Sequence, residues 1–446
     1  MALTGIEIFK HLPKTNCGDC GVPTCLAFAM KLAQGQAELS QCPHVTEEGR
    51  AALAGASAPP MRAVTIGVGD AAFTVGEETV LFRHDKTFVN PCAVGVSLES
   101  GDDDASIDAT IQAAQAAAFE RVQQRLACGF IAVRSTADAP RFRAVAEKAA
   151  ASGLAVILMT DDPSHAVAAL EAIASARPLL HAATEANADA MIELALTHGC
   201  PLAVRGRGLE AVSALAEKAA SAGLKDLVID SAPETAGEAL RDHVWARRSA
   251  LKKYEPLGYP IITLPGELAG GDPMLEAVYA AADVAKYGSI IVLSSAEPWQ
   301  MLPVLVLRQN IYTDPQRPMR AEAKIYEIGN PGPDAPFVVT TNFSLTYFIV
   351  SSEIESAKVP MYLGIVESEG LSVLTAWAAG KFVPERIAKF VNDSGVAERL
   401  SHRQVIIPGA VAQISGELKE ELTGWDVVVG PYEAADLGPF VKKRAS

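Results

Sequence analysis

Residues Phe130–Thr160 read FIAVRSTADAPRFRAVAEKAAASGLAVILMT. The stretch opens on a short apolar run, Phe130–Arg134, and closes on another, Ala155–Thr160. Between them Pro140–Ala151 carries apolar residues at helical spacing behind a proline. Two strands joined by a helix make a parallel pair, because a hairpin cannot connect strands that run the same way. The runs are nearly continuous in β-branched and aliphatic residues. That pattern suits strands buried on both faces rather than on one.

The same unit repeats on either side. Further strand candidates are Ala93–Leu98, Leu179–Ala183, Leu202–Arg205, Leu227–Asp230, Ile261–Leu264 and Ile290–Leu293, with helices such as Asp108–Ala127, Ala188–His198 and Leu209–Ala222. A preliminary β section, Val64–Val68 and Thr79–Arg83, precedes them. Eight units in about 215 residues match a (β/α)8 TIM barrel, and an open doubly wound sheet is the alternative. A barrel places functional groups at the carboxyl ends of its strands. Glu99, Arg134, Asp161, Asp162, Glu185, Arg205, Arg207, Asp230 and Glu267 fall there. They form no recognised catalytic spacing. Asp161-Asp162 before Pro163 reads as a helix cap, and Arg205-Gly206-Arg207 reads as an anion site or a solvated loop. A scaffold or docking role is the expectation for this part.

Upstream, Cys17, Cys20, Cys25 and Cys42 form the pattern C-x2-C-x4-C-x16-C, with Pro43 following. Four thiolates can hold an iron–sulfur cluster or a structural zinc. The spacing and Gly18 and Gly21, which let backbone wrap round sulfur, favour a [4Fe-4S] cluster. Cys92, Cys128 and Cys200 lie in or beside apolar runs and read as small buried hydrophobes. Seven cysteines in 446 residues are no disulfide scaffold. The amino terminus lacks the pattern of a signal peptide, and no apolar run is long enough to span a bilayer. The expectation is a cytoplasmic protein with no membrane contact. A net charge of −15 argues against nucleic acid as a partner.

Two composition breaks divide the chain. Ala51–Ala63, AALAGASAPPMRA, reads as a linker, and Gly329–Pro336 as an interdomain link or a loop near one. The expected domains are 1–58, 64–318 and 321–446. The last has strand candidates Phe337–Thr341, Met361–Val366, Val405–Ile407 and Val427–Val429, with helices Phe343–Ser352, Leu371–Ala379, Pro384–Ser394, Val411–Glu421 and Glu433–Val441. That reads as a Rossmann-like parallel sheet. Its strand ends, Thr340-Thr341-Asn342, Glu367–Val373, Pro408-Gly409-Ala410 and Gly430–Glu433, are rich in Gly, Ser and Thr. They could approach a large flat cofactor, and ordinary turns account for them as well. The absence of G-x-G-x-x-G weakens a dinucleotide reading.

The segments LPKTNCGDCGVPTC (12–25), VVTTNFSLTYF (338–348), GLSVLTAWAAGKF (370–382) and GPYEAADL (430–437) resemble the large (gamma) subunit family of the corrinoid iron–sulfur protein of the acetyl-CoA synthase/carbon monoxide dehydrogenase pathway. The resemblance covers essentially the whole chain. It implies a small [4Fe-4S] domain, a TIM barrel and a corrinoid-binding domain. It implies cluster ligation by Cys17, Cys20, Cys25 and Cys42. It places Thr340, Thr346, Gly370, Leu371, Ser372, Val373, Thr375, Gly430, Pro431 and Glu433 around the corrinoid. The implied function is that of a methyl carrier of the reductive acetyl-CoA pathway, whose cobalt takes a methyl group from methyltetrahydrofolate through a methyltransferase and delivers it to acetyl-CoA synthase. The cluster would reduce inert Co(II) to active Co(I). The implied partners are a small subunit in a heterodimer, the methyltetrahydrofolate:corrinoid methyltransferase, acetyl-CoA synthase/carbon monoxide dehydrogenase, and an electron donor such as ferredoxin.

No D-x-H-x-x-G motif is present, and His402 is the sole histidine after His243. A base-off, His-off corrinoid is therefore expected. Two other functions remain open: an iron–sulfur electron-transfer protein without corrinoid, and a pterin methyltransferase built on the barrel.

Overall fold

The computed structural model describes residues 5–33, 37, 39–50, 53, 59–122, 124–315 and 318–445. It separates into two compact units, residues 1–119 with 126–312, and residues 120–125 with 313–446.

In the first unit the eight expected barrel strands form. They are β1 Ala93–Glu99, β2 Phe130–Arg134, β3 Ala155–Met159, β4 Leu179–Ala183, β5 Leu202–Arg205, β6 Leu227–Asp230, β7 Ile262–Thr263 and β8 Ile290–Leu293. Neighbours pair in parallel in chain order, and β8 returns to β1. A single parallel bridge, Ile229 to Ile261, joins β6 to the start of β7 and brings the ring together. The open-sheet alternative is thereby set aside.

The continuous apolar runs have a direct cause. Phe130 and Ala132 point into the barrel, while Ile131 and Val133 face the helices, and all four are buried. Burying a side chain of this size contributes about 1.5–3 kcal/mol. Gly95 on β1 leaves room for the Phe130 ring, since a Cβ there would stand 2.5 Å from Phe130 Cδ2. An antiparallel pair, Val64–Ile66 and Phe73–Val75, adds Val64, Ile66 and Val75 to the barrel's inner core. The helix of the opening stretch is Ala139–Ala151, with the Asp138 side chain accepting from Arg141 N–H at 3.0 Å.

Two expectations for residues 79–127 fail. Thr79–Arg83 is not a strand. Its carbonyls turn to side chains instead, Val80 O accepting from Arg247 and Leu81 O from the Tyr287 hydroxyl. The helix expected over Asp108–Ala127 runs only over Asp104–Ala116. Beyond it Ala118–Arg121 and Gln124–Ala127 form a two-stranded ribbon. The residues there are good helix formers, and tertiary context overrides that propensity.

The amino-terminal residues have their own small core. It contains Ile8, Leu12, Val22, Phe28, Leu32 and Leu53 together with Cys25 and Cys42. The expected linker Ala51–Ala63 falls partly on residues 51, 52 and 54–58, which lie outside the described residues.

The second unit holds a five-stranded sheet: β9 Ile325–Ile328, β10 Phe337–Thr341, β11 Met361–Val366, β12 Gln404–Ile407 and β13 Asp426–Val429. The order is β9-β11-β10-β12-β13, with β9 antiparallel and the rest parallel. The antiparallel edge strand was not foreseen. Gly329–Pro336 is the loop joining β9 to β10, so it lies inside this unit and is no link between units. Helices Ser344–Ala357 and Leu437–Ala445 cover one face, and Pro384–Asp393 and Ser415–Glu421 the other. The expected helix Val411–Glu421 divides into a 3-10 turn, Gly409–Ile414, and Ser415–Glu421. The one expected from Glu433 begins at Leu437 after a similar turn. No helix among the described residues is long and apolar enough to cross a membrane.

Candidate cysteine centre and cofactor pocket

Strand order decides where the second unit can bind. The segment after β10, helix Ser344–Ala357, packs on one face of the sheet, and the segment after β12, Gly409–Glu421, packs on the other. Adjacent β10 and β12 therefore send their following segments to opposite sides. A crevice opens outside their carboxyl ends, which is where sheets of this type hold ligands. A cavity of about 300 Å³ lies there.

Of the expected corrinoid contacts, Thr340, Thr346, Ser372, Val373, Gly430, Pro431 and Glu433 line this cavity. They come from four separate segments that the fold brings together. Gly370, Leu371 and Thr375 are not among its lining residues. Gly370 has φ +74° and is buried beside Arg320, and Leu371 packs on the core. Thr375 is exposed in the short helix Val373–Ala378, its hydroxyl 3.0 Å from that of Ser372.

The lining is apolar apart from hydroxyls and the single carboxylate of Glu433. Val339, Ile349, Val350 and Ile406 were missed by motif reading because they look like ordinary core positions. Around the opening, Ile349, Leu374 and Tyr432 are 47%, 46% and 66% exposed. Apolar side chains left open beside a cavity mark a binding surface. Gly409 and Gly430 allow the ends of β12 and β13 to close up, Gly409 N–H donating to Pro431 O at 2.9 Å. A Cβ on Gly409 would stand 2.7 Å from Gly430 O.

No histidine lines the cavity. His402 sits at the amino end of β12, at the far end of the strand, where its ring meets the Ala335 carbonyl at 3.0 Å.

The cysteine segment wraps on two left-handed glycines, Gly18 at φ +81° and Gly21 at φ +77°. Asn16 Oδ1 accepts from Cys25 N–H at 2.8 Å and ties the start of the loop to the helix Cys25–Ala33. Cys25 and Cys42 are buried, Cys20 is half-buried and Cys17 is exposed, and all four are free thiols. Among the described residues one close triad of potential ligand atoms appears, on Cys17, Asp19 and His44, and no three cysteine sulfurs lie within 4.8 Å of one another. The other thiols are inert: burial pushes Cys92 up to about 12 and Cys128 and Cys200 up to about 11.

The barrel mouth gathers several of the sequence candidates into one ion-paired chain. Arg134 donates to Glu267 at 3.0 Å, and Arg205 donates to Glu267 at 2.8 Å and to Asp230 at 2.9 Å. Asp230 also meets the His181 ring at 2.9 Å. Burial opposes ionisation of Asp230, but the His181 and Arg205 contacts outweigh it and hold its carboxyl below the ordinary range. Glu99 stands 3.9 Å from Arg134. Asp162 caps the helix Pro163–Ile173, accepting from Ser164 N–H at 2.8 Å. Arg207 is engaged by Glu234 and Glu238, and Asp161 and Glu185 are exposed and outside the chain.

Comparison with known proteins bears on both centres. A family model described as "CO dehydrogenase/acetyl-CoA synthase delta subunit" matches residues 63–441, and one described as "Putative Fe-S cluster" matches residues 12–44. The corrinoid/iron-sulfur protein large subunit of Moorella thermoacetica is 46% identical over 99% of this chain and 99% of its own. The acetyl-CoA decarbonylase/synthase complex subunit gamma of Methanopyrus kandleri is 34% identical over 99% of this chain and 98% of its own. That of Methanothermobacter thermautotrophicus is 34% identical over the full length of both. With both the cysteine segment and the remainder of the fold matched, this chain belongs to the family of corrinoid/iron–sulfur protein large subunits and their archaeal gamma-subunit relatives.

Proposed function

We propose that this chain is a methyl-group carrier of the reductive acetyl-CoA pathway, with a corrinoid in the second unit and a [4Fe-4S] cluster at the amino terminus. The observation that carries the reading is the cavity at the β10–β12 crevice, whose lining is apolar and hydroxylic and contains no histidine. In this reading residues 1–58 carry the cluster, 64–318 form the barrel and 321–446 hold the corrinoid.

The residues present fit both groups. Cys17, Cys20, Cys25 and Cys42 would hold the cluster, which supplies single low-potential electrons. Thr340, Thr346, Ser372, Val373, Gly430, Pro431 and Glu433 would hold part of the corrinoid, while Ile349, Leu374 and Tyr432 offer apolar surface to the rest. A bound corrinoid supplies a cobalt nucleophile that can accept and give up a methyl group. The side chains contribute position and exclusion. Val339, Val350 and Ile406 keep water from the inner end of the cavity, and the hydroxyls orient a polar periphery without adding charge. No histidine is among the residues that would hold the corrinoid, which supports the base-off, His-off reading.

The proposed partners are a small subunit, a methyltetrahydrofolate:corrinoid methyltransferase, acetyl-CoA synthase/carbon monoxide dehydrogenase and a ferredoxin-type donor. The proposed compartment is the cytoplasm. The test is single-turnover transfer. Reduced protein, assembled with its small subunit and given labelled methyltetrahydrofolate and the methyltransferase, should take up the methyl label and pass it to acetyl-CoA synthase. Failure of fully reduced, cobalt-containing protein to take up label would refute the reading.

A further inference from the structure

Asn342 was named in the sequence only as the residue closing a strand. Its surroundings give it a larger part. It stands just past the end of β10 and is fully buried. Its Oδ1 accepts from Ser368 N–H at 3.0 Å, from Gly370 N–H at 2.9 Å and from the Ser368 hydroxyl at 2.7 Å. Its Nδ2 donates to Glu367 at 2.8 Å, and its own N–H donates to Ser368 Oγ at 3.2 Å. All these partners lie in the turn that follows β11.

The turn has bonds of its own, Leu371 N–H donating to Ser368 O at 3.2 Å and Glu369 N–H to Glu367 Oε1 at 2.7 Å, but these leave the N–H groups of Ser368 and Gly370 to Asn342. Two of its backbone N–H groups have their partner in one side-chain oxygen, and a buried N–H without a partner is costly. The segment before β9 closes over the knot. Ala321 N–H donates to Asn342 O at 2.9 Å and Ser344 N–H to Met319 O at 3.1 Å. Gly370, in the left-handed region, lies so close that a Cβ would meet Arg320 Cγ at 3.0 Å and Pro318 O at 3.1 Å.

This turn leads directly into Ser372 and Val373, which form one wall of the cavity. We infer that Asn342 is a positioning residue for the cofactor pocket: it fixes the 367–371 turn and so pre-sets the Ser372–Val373 wall against the bound cofactor. The inference rests on the corrinoid reading. The binding site is held in its working shape before the ligand arrives, so less ordering is needed on binding.

The test exchanges donor and acceptor across one hydrogen bond. Asn342→Asp keeps the oxygen that accepts from Ser368 and Gly370, but sets a second carboxylate against Glu367. Glu367→Gln in the same chain restores a donor facing an acceptor. Release of corrinoid from the full-length holoprotein is followed by its visible absorbance, alongside the thermal unfolding midpoint. N342D should release corrinoid roughly tenfold faster than wild type, the scale of one lost charge-assisted bond. The N342D/E367Q protein should return to within about twofold of wild type. Release from N342D at the wild-type rate would overturn the inference while leaving the corrinoid reading intact. So would a lowered unfolding midpoint with unchanged release, or a double variant no better than N342D. A wild type that holds no corrinoid would overturn the proposed function, and this inference with it.

Discussion

The Ser372 hydroxyl lies 3.0 Å from the Thr375 hydroxyl, across the first turn of the short helix Val373–Ala378. Ser372 faces the cavity, and Thr375 is exposed beside it. The pair forms a polar corner at the cavity's edge with no group able to bind a metal strongly.

Thr375→His therefore tests the missing axial ligand. Thr375 is exposed, so the change should cost within about 0.5 kcal/mol of stability. If the imidazole reaches cobalt, nitrogen splitting should appear in the electron paramagnetic resonance spectrum of the Co(II) form. The Co(II)/Co(I) midpoint should then fall by about 60 mV or more, a tenfold change for one electron. Nitrogen coordination without a fall in midpoint would show that lack of a histidine is not what keeps cobalt reducible.

Cys25→Ser should remove the cluster. Cys25 is buried at the start of its helix and its N–H is fixed by Asn16. A hydroxyl fits the space but is a poor ligand for iron. Iron content should fall sharply while cobalt content stays at the wild-type level. Loss of both metals together would indicate a structural defect.

Removing residues 1–58 should leave the remainder folded. The amino-terminal core draws on residues 8–53, and the barrel begins its own contacts with Met61, fully buried, and Arg62 N–H, which donates to Gly258 O at 2.8 Å. The shortened protein should keep corrinoid and accept methyl groups from artificially reduced cobalt. It should fail to recover from Co(II) with a protein electron donor. Normal recovery would contradict an electron-delivery role for the cysteine segment.

Asp283 makes the barrel's stability depend on pH. Burial pushes its carboxyl up to about 7, from 3.8 when exposed. The folded state then binds the extra proton between those values, so this group's contribution falls as pH rises from about 4 to about 7. Nearby His243 is driven by burial down to about 4, which acts in the opposite sense below pH 6.5. Asp283→Asn should be close to wild type in stability near pH 4.5 and more stable at pH 8, by on the order of 2–4 kcal/mol. Denaturant titrations at the two pH values measure it. Equal stability at pH 8 would mean that Asp283 ionises without penalty.

The barrel strands were legible because burial on both faces leaves a continuous apolar run, as in Phe130–Arg134 and Ala155–Met159. The ribbon of Ala118–Arg121 and Gln124–Ala127 was not, because the segment has a helix's composition and is extended where the two short strands pair with each other. The four cysteines stand out as a motif in the sequence, and seven of the ten residues expected round a corrinoid line the cavity. Asn342 could not be singled out: its partner Ser368 is 26 residues away, and the bond exists only once β10 and β11 lie side by side. The barrel-mouth chain was legible as separate charges and not as pairs, for the same reason.

The central claim is that one chain holds both a corrinoid and a cluster. The measurement that tests it most directly is the cobalt and iron content of anaerobically purified full-length protein. The account predicts cobalt bound in proportion to protein, with about four irons for each cobalt, as one [4Fe-4S] cluster requires. Iron bound without cobalt, in protein offered corrinoid during assembly, would contradict it.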